Sequence, residues 1–198
     1  MSGTLQVGGV TLGTHNSGTG KVDLTNQGTV TLNASTTFPA GHVIKTSSLY
    51  FDNSGTQSSI TADATWTEIH LGFRLTHQAA STSNILLMSF SCAFNSPNAS
   101  NIYHAKFYNQ SGDTDITLPP AAGSRQRAHW HMRVTPSDAN DISMLTMTMR
   151  HVPASTSSLI YTIYFYTQSP DVDFFASDLS DANGFSDGGT FIIQEIQA

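Results

Sequence analysis

Polar and apolar residues alternate without interruption over residues 127–134. The apolar positions are Ala128, Trp130, Met132 and Val134, and the polar positions are Arg127, His129, His131 and Arg133. Successive side chains of a β-strand point to opposite faces of its sheet. An alternation of period two therefore predicts a strand with one buried face and one solvated face.

The same pattern recurs in three other segments. Their apolar positions are Ile69, Leu71, Phe73 and Leu75 in the first, Leu86, Met88, Phe90, Cys92 and Phe94 in the second, and Leu145, Met147 and Met149 in the third. No segment shows a competing helical period. The chain is therefore predicted to be all-β.

Strands are expected at the regular spacing of a β-sandwich. They lie near residues 43–51, 66–76, 84–94, 102–109, 127–135, 142–151, 158–167 and 189–197, with a short one near 115–118. The connections carry turn residues such as Asn53-Ser54-Gly55 and Pro119-Pro120. This number of strands, without alternating helices, predicts an antiparallel sandwich resembling a jelly roll.

The first 41 residues differ from the rest of the chain. Gly and Thr dominate them, and a Val-x-Leu unit recurs at residues 10–12, 22–24 and 30–32. Each unit would make a short strand that buries too little to be stable alone. We therefore expect residues 1–41 to form an extended β arm that pairs with a larger surface, and residues 42–198 to form the head; disorder of the arm is the alternative. The apolar residues expected to make the attachment are Leu5, Val7, Val10, Leu12, Val22, Leu24, Val30 and Leu32.

The segment 158–167 is apolar or aromatic on both faces. One face carries Leu159, Tyr161, Ile163 and Phe165, and the other carries Ile160, Thr162, Tyr164 and Tyr166. A two-layer sandwich buries only one of these faces, and Tyr is favoured at interfaces because its ring packs while its hydroxyl stays hydrated. The pattern predicts a homotrimer whose interface includes Ile160, Tyr161, Tyr164 and Tyr166. Coverage by an adjacent loop is the alternative.

Composition excludes some classes of function. Only 11% of the residues are charged, Ser and Thr occupy 50 of 198 positions, and the formal net charge is −6. Binding to nucleic acid requires clustered Lys and Arg, so we do not expect a nucleic-acid partner. Residues 1–12 lack the basic start and apolar run of a signal peptide, and no segment approaches the roughly 20 apolar residues of a membrane span. We therefore expect neither a signal peptide nor a membrane partner.

Two segments are candidates for metal binding. His129-x-His131 would place two imidazoles about 7 Å apart on one strand face, but Arg127 and Arg133 share that face and oppose a dication. The segment from Asp171 to Asp187 is rich in acids, yet Asp178–Gly184 does not match the ligand positions of an EF-hand. A solvated acidic loop, facing the Arg125, Arg127 and Arg133 cluster of another subunit, is the simpler interpretation. We expect no metal site and no cofactor.

Catalytic motifs are absent from the sequence. It contains no Gly-x-Ser-x-Gly, His-Glu-x-x-His, Gly-x-Gly-x-x-Gly or P-loop pattern. The single cysteine, Cys92, alternates in phase with Met88 and Phe90, which indicates a core residue rather than a nucleophile. We therefore expect no catalytic residues and a protein that is not an enzyme.

The whole chain resembles a family of virion proteins of tailed phages. The resemblance is carried by the Gly/Thr/Val arm, the junction Phe38-Pro39-Ala40-Gly41-His42-Val43-Ile44, the β domain and the closing segment Gly189-Thr190-Phe191-Ile192-Ile193-Gln194-Glu195-Ile196. Such proteins are common in marine and cyanobacterial phages and are usually labelled tail-fibre-like or structural. The resemblance implies a jelly-roll head like that of C1q/TNF-type trimers, with an arm that attaches to the particle.

Three functions follow as expectations. The first is a capsid decoration protein on the virion surface, which stabilises the shell or aids adhesion and binds the major capsid protein or another virion protein. The second is a tail fibre or receptor-binding protein that contacts host surface glycans. The third is a secreted carbohydrate-binding module, which would explain the hydroxyl-rich composition but not the missing signal peptide. The shortness of the arm favours decoration over a fibre.

Overall fold

The computed structural model describes residues 4–7, 10–16, 21–23, 40–51, 58–61, 64–95, 101–134, 142–168, 172–174 and 188–198. The chain divides into two compact units, Met1–Thr37 and Phe38–Ala198. Among the described residues, none belongs to a helix with the length and hydropathy needed to cross a membrane.

The first unit contains a three-stranded antiparallel sheet. Its strands are β1 (Thr4–Val7), β2 (Val10–Asn16) and β3 (Lys21–Asp23), in the order β1-β2-β3. The Val-x-Leu unit at residues 10–12 lies in β2, and Val22 lies in β3. The unit at residues 30–32 lies outside the described residues.

The second unit is built from twelve described strands. They are β4 (Val43–Phe51), β5 (Ser58–Ile60), β6 (Trp66–Glu68), β7 (Leu75–Gln78), β8 (Ile85–Asn95), β9 (Asn101–Asn109), β10 (Thr114–Asp115), β11 (Trp130–Val134), β12 (Ile142–His151), β13 (Ser158–Tyr166), β14 (Val172–Phe174) and β15 (Gly189–Ile196). Every pairing between them is antiparallel.

The strand order is that of a jelly roll. The second unit has two sheets, which we call the first sheet and the second sheet of the sandwich. In the first sheet, β15 lies between β4 and β8, and β12 pairs with the other side of β8. In the second sheet, β13 lies between β9 and the pair β6 and β7, and β11 lies beyond β9. Counting β6 and β7 as one interrupted strand gives eight main strands, in the orders 1-8-3-6 and 2-7-4-5. Neighbours in sequence alternate between the sheets except for the fourth and fifth, β9 and β11, which pair with each other; this order confirms the jelly-roll prediction.

The core lies between the two sheets and is dominated by aromatic rings. Phe94 of β8 contacts Tyr103 and Phe165 of the second sheet, with ring centroids 5.6 and 5.7 Å apart, and Phe107 stacks on Phe191 at 5.6 Å. Such pairs add about 0.5–1.5 kcal/mol each to the stabilisation from burial alone. The alternation over residues 86–94 is confirmed, since all five of its apolar side chains, including Cys92, are buried.

The strand expected over residues 66–76 is interrupted, which corrects the sequence-based prediction. A turn of 3-10 helix at Leu71–Phe73 separates β6 from β7, and the His70 ring accepts a hydrogen bond from the amide of Gly72. The turn leaves Leu71 65% exposed, whereas Leu75 is 7% exposed. Gly72 lies against the ring of Phe51, where an added Cβ would be 2.2 Å from a ring carbon. Strand β11 is also shorter than expected, because it begins at Trp130 and not at Arg127.

Candidate functional site

Four planar side chains form a row across the outer face of the second sheet. The pairing register sets Trp66 opposite Tyr166, Tyr166 opposite His104 and His104 opposite His131. The ring centroids of Trp66 and Tyr166 are 5.5 Å apart, and those of Tyr166 and His104 are 5.7 Å apart. Directly opposed residues on one sheet face lie within side-chain contact, so the register itself creates the row. We call these four residues the aromatic row.

A buried lysine lies beside the aromatic row. Lys106 of β9 is 6% exposed, its ammonium nitrogen is 4.4 Å from the centroid of the Trp66 ring, and it forms an ion pair with the carboxylate of Asp115. Burial of an ammonium group is costly unless it is paired, and the carboxylate together with the aromatic face offsets that cost. Lys106 is therefore held in one position.

A second ion pair lies on the same face, nearer β7. The guanidinium of Arg74 donates hydrogen bonds of 2.9 and 2.7 Å to the two carboxylate oxygens of Glu68. Glu68 also accepts a hydrogen bond of 2.6 Å from the hydroxyl of Thr162. This two-point geometry orients both side chains along the sheet.

The connection between β10 and β11, residues 116–129, is held by its own side chains. Arg127 donates hydrogen bonds of 2.7 and 3.3 Å to the carbonyls of Pro119 and Leu118. At its end, Nδ1 of His129 accepts a hydrogen bond of 2.9 Å from the amide of Phe107, and Nε2 lies 3.0 Å from the carbonyl oxygen of Thr117. Both nitrogens of His129 are therefore engaged by the backbone.

Two adjoining clefts separate this connection from the sheet. The larger, of about 740 Å³, has His104, His131 and Gln168 among its lining residues, together with Arg125 and Gln126 from the connection. The smaller, of about 250 Å³, is lined by Trp66, Lys106, Asp115, Leu118, Arg125, Gln126 and Arg127. Arg125 and Gln126 belong to both, so we treat the two as one site and call it the outer cleft.

The polar groups of the outer cleft are only partly engaged. Nδ1 of His104 is buried without a hydrogen-bond partner in the described part of the chain, and burial, with a smaller contribution from His131, lowers the pKa of His104. The side-chain amide of Gln168 donates a hydrogen bond of 3.2 Å to the hydroxyl of Tyr166. Arg125 is exposed and has no ion-pair partner within the described residues.

Sequence reasoning identified only part of this site. His131 was a candidate for metal binding and Tyr166 for a subunit interface, but Trp66, His104 and Gln168 carry no local signal. They come from three different strands or strand ends, and only the pairing register brings them together. His129 and His131 do not form the matched pair expected on one strand, because His129 precedes β11 and is bonded to the backbone. Among the described residues no group of three or more His, Cys, Asp or Glu is arranged to hold a metal.

The residues expected at a subunit interface fall into two classes. Tyr161 is 1% exposed and points into the core, where burial raises its pKa to about 12, and Tyr166 is 5% exposed. Ile160 and Tyr164 are partly exposed. Neighbouring side chains of the same sheet cover the outer face of β13 in part: the ring of Tyr164 lies 4.4 Å from that of Tyr108. The trimer remains a prediction, and the interface members with accessible surface are Ile160 and Tyr164.

A buried Ser-His-Glu arrangement links β4, β7 and β15. The hydroxyl oxygen of Ser47 lies 2.9 Å from Nδ1 of His77, and Nε2 of His77 lies 3.5 Å from a carboxylate oxygen of Glu195. A serine nucleophile needs an accessible base and a place for substrate. His77 is 2% exposed, Glu195 is fully buried, and neither lines the outer cleft. These contacts form a structural network that ties three strands together.

The other candidate residues are only partly described. Leu5 and Val7 lie in β1, Val10 and Leu12 in β2, and Val22 in β3, whereas Leu24, Val30 and Leu32 lie outside the described residues. Most of the acidic segment from Asp171 to Asp187 also lies outside them. Its described residue Asp173, in β14, accepts a hydrogen bond of 2.6 Å from the hydroxyl of Ser59.

Comparisons with known proteins give a distant structural likeness. No family model matches the chain, and no curated protein matches it. Among solved structures, the chain is similar to Eiger TNF from S. frugiperda, with a TM-score of 0.44 and 5% sequence identity, over 79% of this chain and 96% of that chain.

Proposed function

We propose that this protein is a non-enzymatic structural protein of a tailed-phage particle, carried on the capsid surface as a decoration protein that stabilises the shell or aids adhesion. The observation that carries the proposal is the division of the chain into two units of different construction. In the described residues, the first unit contains a small sheet of three short strands, and the second contains a sandwich with its own core.

The first unit has the features of an attachment element. A three-stranded sheet of four, seven and three residues has little apolar surface to bury, so a larger partner surface would stabilise it. In the described order, β1 and β3 are edge strands, and edge strands are templates for pairing with another chain. Attachment through Leu5, Val7, Val10, Leu12 and Val22 to the major capsid protein, or to another virion protein, follows from this construction.

The second unit has the features of a surface-exposed head. Its described core residues all belong to Phe38–Ala198, so we expect it to fold without the first unit. Decoration would stabilise the shell by mass action, because a protein that binds only the assembled lattice shifts the equilibrium away from disassembly.

Deletion of residues 1–37 tests the proposal. The truncated protein and the full chain should both melt cooperatively, but the truncated protein should be missing from purified particles. Particles made without the protein should release their genome at lower temperature, and supplying the full-length protein should restore the original temperature. Normal incorporation of the truncated protein, or unchanged genome release together with unchanged adsorption to cells, would contradict the proposal.

The outer cleft supports a second candidate, a tail-fibre or receptor-binding protein that contacts host surface glycans. A concave site with a few convergent polar groups is the usual form of a small-ligand site. Immunogold labelling of intact particles separates the candidates, because decoration predicts label over the whole capsid, whereas a fibre predicts label at the tail.

A further inference from the structure

The outer cleft is the most cationic concave surface for which the structure gives lining residues. Three of the eight Lys and Arg residues of the chain, Lys106, Arg125 and Arg127, line it, against one acid, Asp115. The formal charge of these four side chains is therefore +2, whereas that of the whole chain is −6. Low-dielectric walls focus the field of a cleft, so a local positive charge in an acidic protein favours an anionic ligand.

The three cations are not equivalent. Lys106 is paired with Asp115, and the guanidinium of Arg127 is bonded to two backbone carbonyls. Arg125 is exposed at the point where the two parts of the outer cleft meet, and within the described residues it has no salt-bridge partner. A guanidinium presents a planar fork of donors that matches a carboxylate, sulfate or phosphate. Arg125 is thus the cation with all of its donors left for a ligand.

The remaining lining is mixed, with planar and polar side chains beside apolar ones. His131 is exposed, Trp66 and His104 are partly exposed, and Gln126 and Gln168 are exposed with amide groups that can both donate and accept. Rings of this kind offer flat surface to the less polar face of a sugar, and the amides match its hydroxyls. Ile102, Leu118, Pro119 and Ala128 add apolar surface to the same lining. The basic surface is also too short for a nucleic-acid backbone, which needs a longer run of cations.

From this lining we infer that the outer cleft binds an acidic saccharide, with the carboxylate or sulfate of the sugar on Arg125 and the sugar ring against Trp66, His104 and His131, the members of the aromatic row that line the cleft. The inference rests on the receptor-binding candidate above and names its ligand class and residues. Ile160 and Tyr164 do not line the cleft, but Tyr164 lies directly opposite Lys106 in the pairing of β13 with β9, so a trimer formed through Tyr164 would adjoin the cleft.

Titration of the full-length protein with defined polymers tests the inference. The probes are alginate oligosaccharides, which carry carboxylates, dextran sulfate, and neutral dextran of the same length. We expect binding to one or both acidic saccharides, no binding to neutral dextran, and an affinity that falls as the salt concentration rises.

Two substitutions in the cleft test the assigned residues. Arg125→Gln should weaken binding at least tenfold, and His131→Ala should weaken it severalfold. Both residues are exposed, so the fold should tolerate the changes. Arg150→Gln, at another exposed arginine on β12, is the matched control and should bind like the parent.

Several outcomes would overturn the inference. They are no binding to either acidic saccharide at millimolar concentration, equal binding by Arg125→Gln and the parent, and binding to neutral dextran as tight as to alginate. Polyglutamate or single-stranded DNA that bound as tightly would show a general response to polyanions or a different partner. Because the assay uses isolated protein, its failure leaves particle incorporation unaffected, whereas failure of the proposed function appears in the incorporation and localisation experiments.

Discussion

The side-chain amide of Asn84 donates a hydrogen bond of 2.7 Å to the carboxylate of Glu195, and both residues are almost completely buried. The same carboxylate oxygen accepts a second hydrogen bond of 2.7 Å from the amide of Ala80. The pair joins the last strand, β15, to the turn between β7 and β8, across 111 residues of sequence. A buried carboxylate is tolerated only where such donors replace water.

Asn84→Ala should lower the free energy of unfolding by about 2–3 kcal/mol, because it removes a donor from a buried charge. Urea denaturation at pH 7.5 measures the effect. Gln194→Ala, one residue before Glu195 and on the solvent side of the same strand, is the control and should change stability by less than about 0.5 kcal/mol. A loss of similar size in both variants would show that the hydrogen bond contributes nothing specific.

Stability should decrease as the pH falls below about 6.5, the ordinary pKa of histidine. Burial is the largest cause that lowers the pKa values of His77, His104, His129 and His151 in the folded protein. Above pH 6.5 these groups are neutral in both states and contribute no pH dependence. Below it the unfolded chain takes up protons that the folded chain does not, so unfolding is favoured. Urea midpoints measured between pH 7.5 and 5.0 test this, and a midpoint that rose on acidification would contradict it.

The interruption of the strand at residues 71–73 makes two leucines four residues apart behave differently. Leu75→Ala should lower the free energy of unfolding by about 2–5 kcal/mol, because it leaves a cavity in the core. Leu71→Ala should lower it by less than about 0.5 kcal/mol, because the 3-10 turn leaves its side chain 65% exposed. Thermal melting of the two variants gives the comparison directly. Equal losses of stability would contradict the 3-10 turn and favour the continuous strand that the alternation predicts.

The protein should sediment as a homotrimer, and Tyr164→Asp should dissociate it to monomers. Tyr164 is partly exposed, and the substitution would place a carboxylate charge in the buried interface. Tyr50→Asp, at a tyrosine 66% exposed on the first sheet, is the control and should leave the trimer intact. Dissociation by Tyr50→Asp alone would show that the interface lies on the first sheet. A parent protein that is monomeric at micromolar concentration would contradict the trimer prediction.

The sequence by itself determined the fold class and most of the strands, because side-chain direction in a strand depends only on position along the chain. The alternation from Leu86 to Phe94 specified which residues enter the core before any partner strand was known. It failed at Leu71, where a hydrogen bond from Gly72 to His70 and the nearby ring of Phe51 favour a turn. The contact with Phe51, which is distant in sequence, cannot be predicted from the alternation over residues 66–76.

Only the tertiary structure decided which face of β13 enters the core, which face lies on the outside of the second sheet, and where the outer cleft lies. Alternation separated Tyr161 from Tyr164 and Tyr166, but not the buried face from the outer one, because both are aromatic. The cleft joins Trp66, His104, Arg125 and Gln168, which are separated by up to 102 positions (66 to 168) and meet through strand pairing and one connecting segment. Pairing register is a property of two strands at once, so a single sequence read along its length does not contain it in any local pattern.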